Sequence, residues 1–173
     1  LGVFYSEFVS GEGIGVFARI LDINGYASWQ KNLKLKDEID SFDIKLNNKK
    51  YDIDGGSNTH NDKKYAIISG EVSIEDRSKI VHVFNGDDNK HGEKIALLII
   101  SKTGAEGLDL KNVRHIHICE PYWNMARIEQ IIARGVRYKS HISLPKSEQN
   151  VQPYIYLSDY PVGYNLKKKK EET

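Results

Sequence analysis

Ile95-Ala-Leu-Leu-Ile-Ile100, followed at once by Ser101-Lys-Thr-Gly-Ala-Glu-Gly-Leu-Asp109, decides how this chain folds. Six apolar residues run without a polar interruption. A strand with one solvated face would alternate, so this run predicts a strand covered on both faces, the habit of parallel sheets. The glycine-rich segment then predicts a tight turn at the carboxyl end of that strand. Working outward, Val3–Ser6 and Tyr65–Ser69 repeat the pattern, and His115–Cys119 and Tyr154–Leu157 supply two further strands. Between them lie helical stretches. Val16–Asn24 is closed by Gly25 as a C-terminal cap, and Ser73 with Asp76 opens a helix to about Phe84 in the manner of a capping box. Met125–Arg137 forms a third helix. Strands alternating with helices predict an α/β fold with a parallel sheet, helices on both faces, and ligands at the carboxyl ends of the strands.

Residues 31–64 break that rhythm. They are rich in Lys, Asn and Asp, and only Phe42, Ile44, Leu46, Tyr51 and Ile53 alternate, around Asn47-Asn48. This predicts a small inserted antiparallel hairpin; the alternative is an insertion that touches nucleic acid or a partner protein. Residues 1–166 are read as one domain, and Lys167–Lys170 with the glutamates that follow as a solvated charged tail, 167–173. The chain opens on Leu1, already inside a strand, and is expected to be a piece of a longer protein.

The totals narrow the function classes. A formal net charge of +1 over 173 residues excludes a generic polycation, so any nucleic-acid contact must come from local patches. One cysteine, Cys119, excludes an intrachain disulfide and fits a reducing, intracellular compartment. No window of 18 apolar residues suggests a membrane span.

The chemistry concentrates in two segments. In the turn 101–109, Ser101 and Thr103 supply hydroxyls, and glycines let backbone amides approach a phosphate closely. Asp109 is placed to accept hydrogen bonds from a ribose. The plainer alternative is an ordinary strand-to-helix turn. In Gln130-Ile-Ile-Ala-Arg134-Gly-Val-Arg137, the spacings of four and three return to one helical face, within about 60° of arc. Two convergent guanidiniums suit a polyphosphate, because each is planar, permanently charged and able to donate paired hydrogen bonds. A basic, solvated helix face is the bland alternative.

Taken together, Ile95–His141 resembles the motif V and motif VI region of superfamily-two helicases. Ser101, Gly107 and Asp109 match motif V; Gln130, Arg134 and Arg137 match motif VI, with Ala133 where glycine is usual. Val3–Gly25, with Ser6 in the loop after the strand, resembles motif IV. Ile68-Ser-Gly70 with Arg77 and Phe84 resembles the segment between motifs IV and V. Gly107–Arg114, Glu120-Pro-Tyr-Trp-Asn124, and Arg137-Tyr-Lys-Ser-His141 with Leu144-Pro145 are similar to helicases of large nucleocytoplasmic DNA viruses.

The resemblance implies the second of two RecA-like lobes, since neither a G-x-x-x-x-G-K-[ST] loop nor an acidic Mg²⁺ box occurs here. A first lobe would hold ATP and Mg²⁺. Arg134 and Arg137 would act as catalytic arginine fingers, with Gln130 orienting the phosphate or the attacking water. Gly107 and Asp109 would line the nucleotide or lobe interface. Ser6, Ser101 and Thr103 would contact the backbone of DNA or RNA. By analogy, transcription machinery would be a further partner, in a virion or infected-cell cytoplasm.

Other readings compete. His115, His117 and Glu120 invite a metal site, but the two histidines share one strand face and Cys119 is the only thiol, and a structural role is favoured. Cys119 reads as an inert core residue. Tyr122 and Trp123 read as packing beside the third helix, with base stacking as the alternative. Ser140 and His141 read equally as support for the arginines or as a loop cap. A helicase-derived lobe that binds nucleic acid or a partner without hydrolysis is the alternative from another class, and two arginines at catalytic spacing argue against it. Gly11-Glu-Gly-Ile-Gly15 also suggests a methyltransferase-like nucleotide domain, which lacks the acidic end expected of its second strand.

Overall fold

The computed structural model describes residues 1–9, 13–30, 63–121, 124–157 and 159. The predicted hairpin, Tyr122 and Trp123, and the charged tail lie outside the described residues. Strands β1 (Gly2–Ser6), β2 (Ala27–Ser28), β3 (Lys64–Ile68), β4 (Leu97–Ser101), β5 (His115–Ile118) and β6 (Gln152–Ile155) form one sheet. Its order is β2-β3-β4-β1-β5-β6, and every pairing is parallel. Helices α1 (Ile14–Ile23), α2 (Ile74–Phe84) and α3 (Met125–Gly135) complete the α/β fold.

Alternation along each central strand divides the core. Val3, Tyr5, Ala66, Ile68, Leu98, Ile100, Ile116 and Ile118 face Ile80 and Phe84 of α2 and Ile128 and Ile131 of α3. Phe4, Tyr65, Ile67 and Ile99 face Ile14, Ala18 and Leu21 of α1. Phe4 and Phe17 stack there, 3.6 Å between centroids and 5° between planes. Helices thus cover both faces, which is why the 95–100 run needs no polar alternation.

The chain leaves β1 toward one edge, returns through β3 and β4, then crosses β1 to reach β5. Such a reversal opens a crevice at the carboxyl ends of the flanking strands, here those of β4, β1 and β5.

Strand β2 was not expected, and several boundaries move by one or two residues. The run beginning at Ile95 enters the ladder only at Leu97, because Ile95 N–H is taken by the Asn89 side chain at 2.8 Å. The last strand begins at Gln152 and ends at Ile155, two residues earlier at each end than its apolar residues suggest. Most consequentially, α3 ends at Gly135, so Arg137 is not on the helix. Glycine and β-branched valine are poor helix formers, and Val136 leaves helical geometry at φ −115, ψ 36. Gly135 is buried, and a Cβ there would lie 2.8 Å from Ile116 Cδ1. The helix therefore ends pressed onto β5.

Ser73 caps α2 as predicted. Its Oγ accepts from Asp76 N–H at 3.1 Å and donates to the Asp76 carboxylate at 2.8 Å. Ser73→Ala should cost about 1 kcal/mol. Denaturant unfolding would show it as a lower midpoint at constant slope, and an unchanged midpoint would show the cap to be energetically idle.

Candidate nucleotide and nucleic-acid site

The structure brings predicted residues together in two places, Ser6 with Ser101 and Asp109 with Arg137. The first lies at the carboxyl edge of the sheet. Ser6 and Ser101 are directly paired across β1 and β4, and both are buried, at 0% and 1% exposure. Ser6 Oγ donates to Glu120 Oε2 at 2.7 Å, and Ser101 Oγ accepts from Gly104 N–H at 3.0 Å. These hydroxyls hold loops in place, unlike the expectation that each presents itself to a ligand. A strand running between two others buries its last side chain, and the sequence motif does not reveal that. Thr103 is exposed, against Gly70 in the loop after β3. Glu120 has φ 48, a left-handed backbone that is unusual for a β-methylene residue.

Sequence reasoning missed an ion pair beside this cluster: Arg127 in the first turn of α3 meets Glu7 just after β1 at 2.8 Å, both largely sheltered. It ties the start of α3 to the exit of β1. The residues are 120 positions apart, and no local pattern signals such a pair.

The second cluster joins two of the predicted site residues. Arg137 Nη1 donates to Asp109 Oδ1 at 2.9 Å, with the two side chains 45% and 63% exposed. Asn85, which caps the carboxyl end of α2, holds the acidic partner in place. Its Nδ2 donates to Asp109 O at 2.7 Å, and its Oδ1 accepts from Lys111 N–H at 2.8 Å. The pair therefore sits at the carboxyl ends of α2 and α3, where helix dipoles favour a cation. An asparagine directly after a predicted helix was the one signal that could have marked Asn85. Gly107 precedes the cluster with φ 71 and open space around its Cα, the left-handed geometry that glycine adopts without strain. Gln130 is exposed on α3, and Arg134 follows it by one turn. The half-exposed guanidinium of Arg137 has donors beyond the one given to Asp109, which fits an anionic oxygen.

Ser140 and His141 attach the loop after α3 to the segment leading into β5. His141 Nε2 lies 2.6 Å from Val113 O, and its Nδ1 lies 2.8 Å from Ser140 Oγ. His115 and His117 lie on one face of β5, as predicted, and no group of three metal-capable side chains occurs among the described residues. His117 stacks on Tyr154 and bonds to Tyr156 Oη at 2.7 Å. Burial and then the charge of His115 lower its pKa. Burial, with Glu120 adding to it, pushes the Cys119 thiol up, as suits an unreactive residue.

The model of the helicase conserved C-terminal domain matches residues 33–139, more than half of the chain. The chain belongs to that family. The six parallel strands among the described residues, with helices on both faces, fit the RecA-like architecture of a helicase C-terminal domain. Among curated relatives, a "Termination factor NPH-I homolog" of African swine fever virus (isolate Tick/South Africa/Pretoriuskop Pr4/1996) is 39% identical over 168 residues, covering 90% of this chain and 23% of the relative. A "Putative ATP-dependent RNA helicase R563" of Acanthamoeba polyphaga mimivirus is 33% identical, covering 91% of this chain and 23% of the relative. A "Putative helicase 087L" of Invertebrate iridescent virus 3 is 29% identical, covering 90% and 14%. The chain thus spans about a quarter or less of the length of these relatives. No helix among the described residues is long and apolar enough to cross a membrane.

Proposed function

We propose that this helicase C-terminal domain is the second lobe of a nucleic-acid-dependent ATPase, and that Arg134 and Arg137 reach the triphosphate of ATP bound by a first lobe. The observation that carries the reading is the Asp109–Arg137 pair at 2.9 Å, which brings the ends of two motifs 28 residues apart to one point. A P-loop lobe would hold ATP and Mg²⁺, the ion neutralising charge on the phosphates. On lobe closure Arg137 keeps or exchanges its Asp109 contact and turns free donors to the γ-phosphate. Charge that develops in the transition state then meets a fixed cation, an effect worth roughly 10³–10⁵ in rate, or about 4–7 kcal/mol. Gln130, one turn before Arg134, orients the γ-phosphate or the attacking water. Gly107 lets the turn leave β4 without strain, and Asp109 faces the nucleotide or the other lobe.

The nucleic-acid backbone is assigned to the carboxyl edge of the sheet. Thr103 is its exposed hydroxyl there, while Ser6 and Ser101 shape the loops beneath. DNA or RNA is the partner, along with the first lobe. The name of the African swine fever virus relative, a termination factor, supports a role in viral transcription with its machinery as a further partner.

ATP turnover by the 173-residue chain alone tests the division of labour. No turnover above background is expected, with or without nucleic acid, because the chain supplies fingers but no P-loop. Turnover of about one per second or more, within the range of complete enzymes, would overturn the two-lobe reading.

A further inference from the structure

We propose that His141 is a positioning residue for Arg137, given the finger role assigned to Arg137 above. Because α3 stops at Gly135, helix geometry does not fix this arginine. It rides on a loop whose Val136, Tyr138 and Ile142 side chains are exposed, and an exposed loop loses an ordered geometry unless something pins it.

The pin is polar and lies on the inner side of the loop. Val113 O can only accept, so Nε2 of His141 carries the hydrogen and donates across 2.6 Å. In the neutral imidazole, Nδ1 is then the acceptor for the Ser140 hydroxyl at 2.8 Å, and Ser140 is itself buried. Two further bonds run between the same segments: Asn112 N–H donates to Ser140 O at 2.9 Å, and Ser143 Oγ donates to Asn112 Oδ1 at 2.9 Å. Ser140 N–H closes the turn on Arg137 O at 3.0 Å.

Three of these five bonds, those of His141 Nε2, Ser140 O and Ser143 Oγ, end on residues 112–113, a few positions after Asp109. The Asn85 amide braces Asp109 from the other side. One short segment therefore carries both the partner of Arg137 and the anchor of its loop. His141 spans the gap with a ring that is rigid beyond two torsions, so its removal frees the loop and leaves Val113 O without this partner. A catalytic group displaced by about 1 Å loses on the order of 10²-fold in rate, which sets the size of the expected effect.

The test uses the full-length protein that carries this lobe with its P-loop lobe, and the variants His141→Ala, His141→Gln and Arg137→Ala. His141→Ala should lower kcat by about 10- to 100-fold with little change in KM. Glutamine can place an amide N–H near the position of Nε2, so His141→Gln should recover most of that loss. In the 173-residue chain, His141→Ala should raise the mobility of the Arg137 side-chain N–H groups by NMR. Arg127, held by Glu7 at the other end of α3, should not change. Parental kcat in His141→Ala would overturn the proposal. So would a glutamine variant as poor as alanine, or loosening of Arg127 together with Arg137, since either is the mark of general structural damage. Parental turnover in Arg137→Ala would instead remove the finger reading, and the NMR comparison would still decide whether His141 holds the loop.

Discussion

Arg134→Ala and Arg137→Ala, each made in the full-length two-lobe protein, are expected to lower ATP turnover by about 10³-fold or more while leaving the fold intact. The asymmetry between rate and stability follows from the surroundings of Arg137. Its ion pair with Asp109 is half exposed on both sides. Such pairs contribute about 0–1 kcal/mol to stability, so the melting temperature should barely move. The same guanidinium, closed over a triphosphate and shielded from water, would act on charge that appears only in the transition state. The loss should therefore fall on kcat and leave nucleic-acid affinity nearly parental. Arg137→Lys gives a graded control. Lysine keeps the charge but not the planar fork, and should recover only part of the rate. Steady-state turnover with saturating nucleic acid, next to a melting curve for each variant, is the measurement. Turnover within about threefold of the parent in both alanine variants would end the finger assignment.

How much of this was legible beforehand depends on the range of each interaction. The unbroken apolar run at 95–100 announced a strand buried on both faces, and the parallel sheet bears that out. Ser73 with Asp76 located the start of α2 because a cap is local. The spacing of Gln130, Arg134 and Arg137 suggested one continuous helical face, and there periodicity misled. Spacing carries no information on where a helix stops, and Gly135-Val136 stopped it before Arg137 was reached. Arg137 still meets Asp109, but it does so through a loop pinned by His141 and Ser140. The burial of Ser6 and Ser101 was hidden for a different reason. A motif marks residue type at a strand end, whereas exposure depends on which strands flank it, and both serines end in the middle of the sheet. The Glu7–Arg127 pair and the bond from Asn85 to Asp109 join residues distant in sequence; a local pattern can mark Asn85 as a cap, but only the folded chain reveals these partners.

Gly104→Ala should be the most damaging single-methyl change in the turn after β4. Gly104 is buried, and a Cβ at this position would fall 2.0 Å from Ile68 O and 2.7 Å from Ile68 C. Those are backbone atoms of the last residue of β3, which is paired in register with Ile100 of β4. A flexible side chain could rotate away; a carbonyl inside a parallel ladder cannot, short of unpairing the strand. Gly104 N–H is also tied to Ser101 Oγ at 3.0 Å, so the turn has no room to slide outward. Overpacking a well-filled site typically costs about 1–3 kcal/mol, and a clash with backbone belongs at or above the top of that range. A loss of about 3 kcal/mol or more is therefore expected, read from denaturant midpoints at constant slope. Gly107→Ala is the natural comparison. It has nothing within 4 Å and pays only for its left-handed φ of 71, about 1–2 kcal/mol. If the two variants were equally stable, the close approach at Ile68 would not be what requires glycine at 104. The strained variant would also shift Thr103 against Gly70 and, through the turn, Asp109 against Arg137. In the two-lobe protein it should weaken nucleic-acid binding and turnover together, unlike the arginine variants, which separate them.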